Sequence, residues 1–200
     1  MSKRIILGSA SPRRRELLSQ IGIAFEVRTS DREEVYHSTV PEEIVGELAL
    51  MKAENVAGDL TDERNREPED TIVIGADTIV VLDGKILGKP KDENEAADMI
   101  RALQGRSHEV YTGVAILDYD AQGRKDVSVH AVGTKVYVNP MDEKEISAYI
   151  STGEPMDKAG AYGIQGRFAA YIDRIEGDYY NVVGLPVSYV YRMLKKLGAF

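Results

Sequence analysis

Residues 71–82 read Thr-Ile-Val-Ile-Gly-Ala-Asp-Thr-Ile-Val-Val-Leu, a run so β-prone that it requires a buried strand and a sheet to hold it. The run is interrupted at Gly75-Ala76, and a break inside a buried strand lets a backbone come close to a ligand. Asp77 follows that break. An ionised carboxylate among apolar neighbours is costly unless it is paired or bound to a metal. Two roles stay open for it: satisfying turn N–H groups, or acting as a metal ligand or general base that orients a water against a phosphoryl group.

The rest of the chain alternates between helical and strand periodicity. Apolar spacing predicts a strand at 4–7, a helix at 12–21 with Leu17, Leu18 and Ile21 on one face, and a strand at 23–29. Pro41-Glu42-Glu43 opens a helix that runs to about Ala57, carrying Ile44, Val45, Leu48, Ala49 and Val56 at helical spacing. The polar stretch from Gly58 to Asp70 reads as an exposed loop. Asp83-Gly84 is a hairpin signal. Further on, a helix fits 92–103, long strands fit 107–118 and 125–138, and a helix fits 142–151. A Gly-rich segment at 153–166, a strand at 168–175 and a helix at 186–197 complete the chain. The pattern implies an α/β or mixed α+β fold with an elongated mixed sheet. Its 200 residues suffice for one large domain or two small lobes.

The segment Ser9-Ala-Ser-Pro-Arg13-Arg14-Arg15 follows the first strand directly. Ser11 suits an N-cap and Pro12 the first helical position. A helix N-terminus prefers acidic side chains, so arginines there call for a negative partner. Either they form a solvated basic turn paired with carboxylates such as Glu16, or they join free N–H groups in holding a phosphate. The second possibility gains from Glu33, Lys52, Asp77 and Lys89, all placed where loops and strand ends fall. The Glu33-Glu34 pair suits a hard divalent cation that bridges carboxylates and phosphate oxygens. Lys52 and Lys89, with the arginines, would clamp charge on a transferring phosphoryl group.

A second dense motif, Asp157-Lys-Ala-Gly-Ala-Tyr-Gly-Ile-Gln165-Gly166, combines glycines that allow close backbone approach with an amide able to read the edge of a planar base. It also reads as a Gly-rich connection with Tyr162 in the core. The loop from Glu176 to Pro186 carries no chemistry legible from residue type.

Composition excludes several classes. A formal net charge of −8 argues against broad nucleic-acid binding, and local basic clusters in an acidic chain point instead to a small anionic ligand. The chain has no cysteine and only three scattered histidines, at 37, 108 and 130, which removes thiolate chemistry and a His-rich zinc site. No apolar stretch has signal-peptide or membrane-span length, so a cytoplasmic protein with no membrane partner is expected. The phosphate loop ending in Gly-Lys-Ser/Thr, the paired-His zinc helix and the Ser elbow are absent.

Six ordered segments, Ser9-Ala-Ser-Pro-Arg-Arg14, Gly75-Ala-Asp-Thr-Ile-Val80, Gly88-Lys-Pro90, Leu103-Gln-Gly-Arg-Ser-His108, Asp157 to Gly166 and Val183-Gly-Leu-Pro186, resemble the Maf family of nucleoside triphosphate pyrophosphatases over nearly the whole chain. The resemblance implies a two-lobed α/β fold with a central cleft, like that of inosine triphosphate pyrophosphatases. It implies hydrolysis of a nucleoside triphosphate to monophosphate and pyrophosphate, dependent on a divalent metal, magnesium or manganese. Asp77 matches the family's proton acceptor, and Glu33, Lys52 and Lys89 its other polar active-site positions. Arg13, Thr78 and Gln165 match the positions that mark the branch acting on dTTP and UTP. On this view Glu33 and Asp77 hold the metal, Ser9, Arg13 and Arg14 bind phosphate together with the lysines, and Asp77 activates water for attack at the α-phosphorus. A homodimer is expected by the same analogy.

The chain departs from the family pattern at Gly8, where Ala is usual, and at Phe168, where a small residue is usual. The second change bears on packing near Gln165 and so on base preference. Two other functions stay open: a nucleotide-binding regulator of septum formation without turnover, and a pyrophosphatase preferring a purine such as 7-methyl-GTP.

Overall fold

The computed structural model describes residues 3–32 and 34–199. Among them, strands β1 (Arg4–Gly8), β2 (Glu26–Val27), β3 (Thr71–Leu82), β4 (Lys85–Leu87), β5 (Ser107–Tyr119), β6 (Lys125–Val138) and β7 (Ile172–Glu176) form one mixed sheet. Hydrogen-bonded neighbours run β2-β1-β3-β5-β6-β7, with β4 also on β3. β1 is parallel to β2 and β3, whereas β3–β4 and β6–β7 are antiparallel. The helices are α1 (Pro12–Gln20), α2 (Pro41–Arg64), α3 (Glu93–Leu103), α4 (Glu143–Ile150), α5 (Tyr179–Val183) and α6 (Val187–Lys196).

The chain divides into two compact units. The first comprises Met1–Asp77, Thr112–Val132 and Gly184–Phe200, and the second Thr78–Tyr111 and Gly133–Val183. In the first, the α2 residues Ala49, Ala53, Val56 and Leu60 pack with Ile6, Val73, Ala115 and Leu117 of the sheet. In the second, Ala96, Ile100 and Leu103 of α3 and Ile146, Tyr149 and Ile150 of α4 are buried.

Local chemistry sets the element ends. Asp92 and Asp142 cap α3 and α4 by accepting from the N–H groups of Glu95 and Glu145, and Glu145 returns the bond to complete a capping box. Asp83 and Gly84 both have positive φ, 50° and 73°, as a two-residue hairpin turn requires.

Four expectations are corrected. First, α2 does not stop near Ala57. It continues to Arg64, because Leu60 is 3% exposed in the core and Arg32 pairs with Asp59 and Asp62 along its polar face. Asn65 ends it in a left-handed conformation. Second, the strand expected at 23–29 reduces to Glu26–Val27, an edge held only by Ile6 and Leu7. Third, β3 is unbroken at Gly75-Ala76. Fourth, residues 167–171 form a 3-10 turn before β7, because Phe168 turns inward to become fully buried.

Candidate active site

Gly75 shows why β3 carries a glycine. A Cβ there would collide with the carbonyl oxygen of Ala49 and stand 2.8 Å from the N of Ala53, so the backbone that approaches this position is that of α2, not of a ligand. Ala49 and Ala53 are fully buried. Lys52, adjacent to Ala53, is thereby brought to Asp77, two residues beyond Gly75. Its Nζ donates to Asp77 Oδ1 at 2.5 Å and lies 3.2 Å from Glu34 Oε2. The Lys52 and Asp77 side chains are 21% and 15% exposed, deep enough for the pair to be incompletely screened yet open to a ligand. Glu33 lies outside the described residues.

The turn from β1 into α1 adds a second group to the same unit. Ser9 is buried, and its Oγ accepts from the Ser11 backbone N at 3.3 Å and from Arg14 Nη1 at 2.9 Å. Arg14 Nε donates to the Gly184 carbonyl at 2.8 Å. Burial lowers the Arg14 pKa from its usual value, the Asp77 and Glu34 carboxylates oppose that shift, and Arg13 adds to it. Electrostatics therefore couples Arg13, Arg14, Glu34 and Asp77. The three arginines part ways: Arg14 turns inside, Arg13 is half-buried, and Arg15 is exposed. Ser11 holds the N-cap position, but its side chain makes no capping bond.

The second unit holds the remaining candidates. Thr78 follows Asp77 in β3 and is half-buried. Lys89 is exposed in Gly88-Lys89-Pro90, where the Gly88 carbonyl accepts from Gly160 N at 3.0 Å and joins this turn to the Gly-rich motif. Gln165 is exposed between buried Ile164 and, three residues on, buried Phe168. Phe168 packs on Tyr149, Tyr162 and Tyr171, with ring centroids 5.2, 4.7 and 5.8 Å away. Tyr162 is in the core and its Oη lies 2.6 Å from His108 Nε2. Burial pushes the His108 pKa down to about 4, which keeps the ring neutral at physiological pH.

Two partnerships carry no signal in the sequence. Glu34 shares Lys52 with Asp77, a contact between residues far apart in the chain. Asn181, fully buried in α5, donates to Val110 O at 3.0 Å and to Thr134 Oγ1 at 2.7 Å, tying β5 to β6. No group of three or more His, Cys, Asp or Glu side chains that could hold a metal ion occurs among the described residues, and no described helix is long and apolar enough to cross a membrane.

Residues 4–197 match the family model described as Maf-like protein. The chain is 52% identical over 199 residues to the dTTP/UTP pyrophosphatase of Agathobacter rectalis, covering 97% of each chain. It is 50% identical over 197 residues to the enzyme of the same name from Pelotomaculum thermopropionicum, covering 98% of this chain and 97% of the relative. The enzyme of that name from Lachnoclostridium phytofermentans is 48% identical over 194 residues, covering 97% of this chain and 95% of the relative. Among solved structures, the Staphylococcus aureus Ham1 protein aligns with a TM-score of 0.46 and 16% identity, covering 68% of this chain and 72% of that one.

Proposed function

This chain belongs to the family of Maf-like proteins, and on that footing we propose that it hydrolyses dTTP and UTP, together with modified pyrimidine nucleoside triphosphates, to the monophosphate and pyrophosphate. The observation that carries the proposal is the charged cluster of Asp77, Lys52 and Glu34, coupled electrostatically to Arg14 in the first turn of α1.

Asp77 takes a proton from the water that attacks the α-phosphorus, as the bond from that phosphorus to the α–β bridging oxygen breaks and pyrophosphate leaves. Lys52 holds the Asp77 carboxylate in one orientation. Arg13 and Lys89 stabilise the phosphate oxygens. Arg14 acts from inside, bracing Ser9 rather than reaching out to the nucleotide. Gln165 reads the pyrimidine edge through its amide, with Arg13 and Thr78 completing the selection. Asp77 and Glu34 converge on one cation and supply only oxygen donors, the kind that a hard divalent ion takes alongside phosphate oxygens. Bound there, magnesium or manganese would neutralise charge developing on the phosphates.

Pyrophosphate release from dTTP, UTP, CTP, dATP, GTP and 7-methyl-GTP, measured with magnesium and with manganese, tests this reading. Fast turnover confined to dTTP and UTP is expected. Equal rates across the panel would overturn the base assignment, and no release from any of them would overturn the activity.

A further inference from the structure

Gln165 sits at the exposed crest of a turn whose C-terminal flank is fastened to a pair of side chains. The Arg167 N–H donates to Glu154 Oε2 at 3.0 Å. Tyr149 Oη in turn donates to Glu154 Oε1 at 3.3 Å. The Glu154 carboxylate occupies the place that a Cβ on Gly166 would take, so the residue after Gln165 has to be glycine for the carboxylate to lie flat against the turn. Glu154 is itself held, since Lys158 Nζ donates to its backbone carbonyl at 2.6 Å. Tyr149 is 3% exposed and its ring packs on Phe168.

Such an arrangement costs something to maintain: a carboxylate held against backbone and phenol loses hydration that its hydrogen bonds must replace. Neither Tyr149 nor Glu154 is needed to close the turn itself, because Gly166 N already bonds to the Gly163 carbonyl at 3.2 Å. What the two side chains add is a second hold on the backbone beside the one polar side chain at the crest.

We propose that Glu154 and Tyr149 form a clamp that sets the direction of the Gln165 amide and thereby base selection, which makes both of them positioning residues. The inference rests on the reading that Gln165 contacts the base. An amide discriminates between bases by placing a donor and an acceptor at once, so freedom at the crest weakens discrimination before it weakens catalysis.

The test compares kcat and KM for UTP and CTP in Glu154→Ala, Glu154→Gln, Tyr149→Phe and Gln165→Leu. Glu154→Ala is expected to cut the UTP-over-CTP ratio of kcat/KM by about 10-fold, the order of one well-placed polar contact, with the loss in KM for UTP and not in kcat. Glu154→Gln keeps an acceptor for the Arg167 N–H and is expected to recover most of the ratio. Tyr149→Phe removes only a hydroxyl, keeps the packing on Phe168, and is expected to lower the ratio by roughly 3-fold. It carries the test if Glu154→Ala does not fold. An unchanged ratio in Glu154→Ala and Tyr149→Phe, with the ratio collapsed in Gln165→Leu, would overturn the clamp and leave Gln165 as the base reader. An unchanged ratio in Gln165→Leu would overturn the base-reading role and the clamp with it.

Discussion

Asp77 and Gln165 are held in place by opposite means. Asp77 is fixed by an ammonium group from a helix 25 positions earlier in the chain, in a cluster where every member carries formal charge. The partners of the turn around Gln165 all lie between Tyr149 and Arg167, where a backbone N–H and a phenol, both neutral, donate to the single carboxylate of Glu154. Charge at the first site suits a region that must answer to phosphate; a locally closed hydrogen-bond network suits one that must keep a single shape. The difference also sets how each should fail. Removing one charge leaves its partner uncompensated and alters the field over the whole cluster, whereas loosening a local hydrogen-bond network loses orientation by degrees.

The largest effect should come from Asp77→Asn, which keeps the shape and removes the proton acceptor. Turnover is expected to fall by about 10²–10⁴-fold with an unchanged circular dichroism spectrum, and turnover near the wild-type rate would remove Asp77 from its role. Next, Lys52→Met leaves Asp77 and Glu34 facing each other without their shared cation. A loss of about 10²-fold in kcat/KM is expected; a loss below twofold would mean that the ion pair is not what organises the charged site.

The second unit offers its own test through His108. Its pKa is held at about 4, below the unfolded value of 6.5, so the unfolded chain binds the additional proton between those two values. The stability that goes with the neutral ring is therefore full above about pH 6.5 and is lost as pH falls toward 4. The loss amounts to roughly 3 kcal/mol. Urea midpoints measured from pH 7 to pH 4 should flatten in His108→Gln, and an unaltered slope in that variant would assign the acid sensitivity to other groups. Smallest of all, Arg101→Ala removes an exposed pair with Glu143 in the same unit. No measurable shift in melting temperature is expected, and a clear drop would mean that exposed ion pairs also stabilise the second unit.

How much of this was legible in the sequence follows the same division. The Gly-rich motif could be read because it is local: one of its two readings put Tyr162 in the core, where it is buried. Asp77 stood out because a carboxylate inside an apolar run needs a partner. That partner was not identifiable, since nothing near Asp77 in the chain points to Lys52, and Glu34, read with Glu33 as a pair suited to a divalent cation, carries no sign that it meets Lys52. The inward turn of Arg14 was equally hidden, because its acceptor at Gly184 lies 170 positions away. Local polarity misled at 58–64, where Leu60 and the Arg32 pairs sustain a helix that composition alone makes a loop. It misled again at Gly75, where a glycine that suggests a break marks a helix pressed against an unbroken strand.

That seam at Gly75 has a consequence for how the enzyme tolerates change. Because α2 and β3 meet there backbone to backbone, no side chain acts as a spacer between them, and the separation of Lys52 from Asp77 is gauged by main-chain atoms alone. Repacking elsewhere in the core can alter rotamers and volumes without altering that gauge, so the charged pair should keep its spacing while its surroundings drift. The same rigidity leaves no gradual route at position 75 itself, where the smallest added side chain would pry helix from strand and part lysine from aspartate in one step.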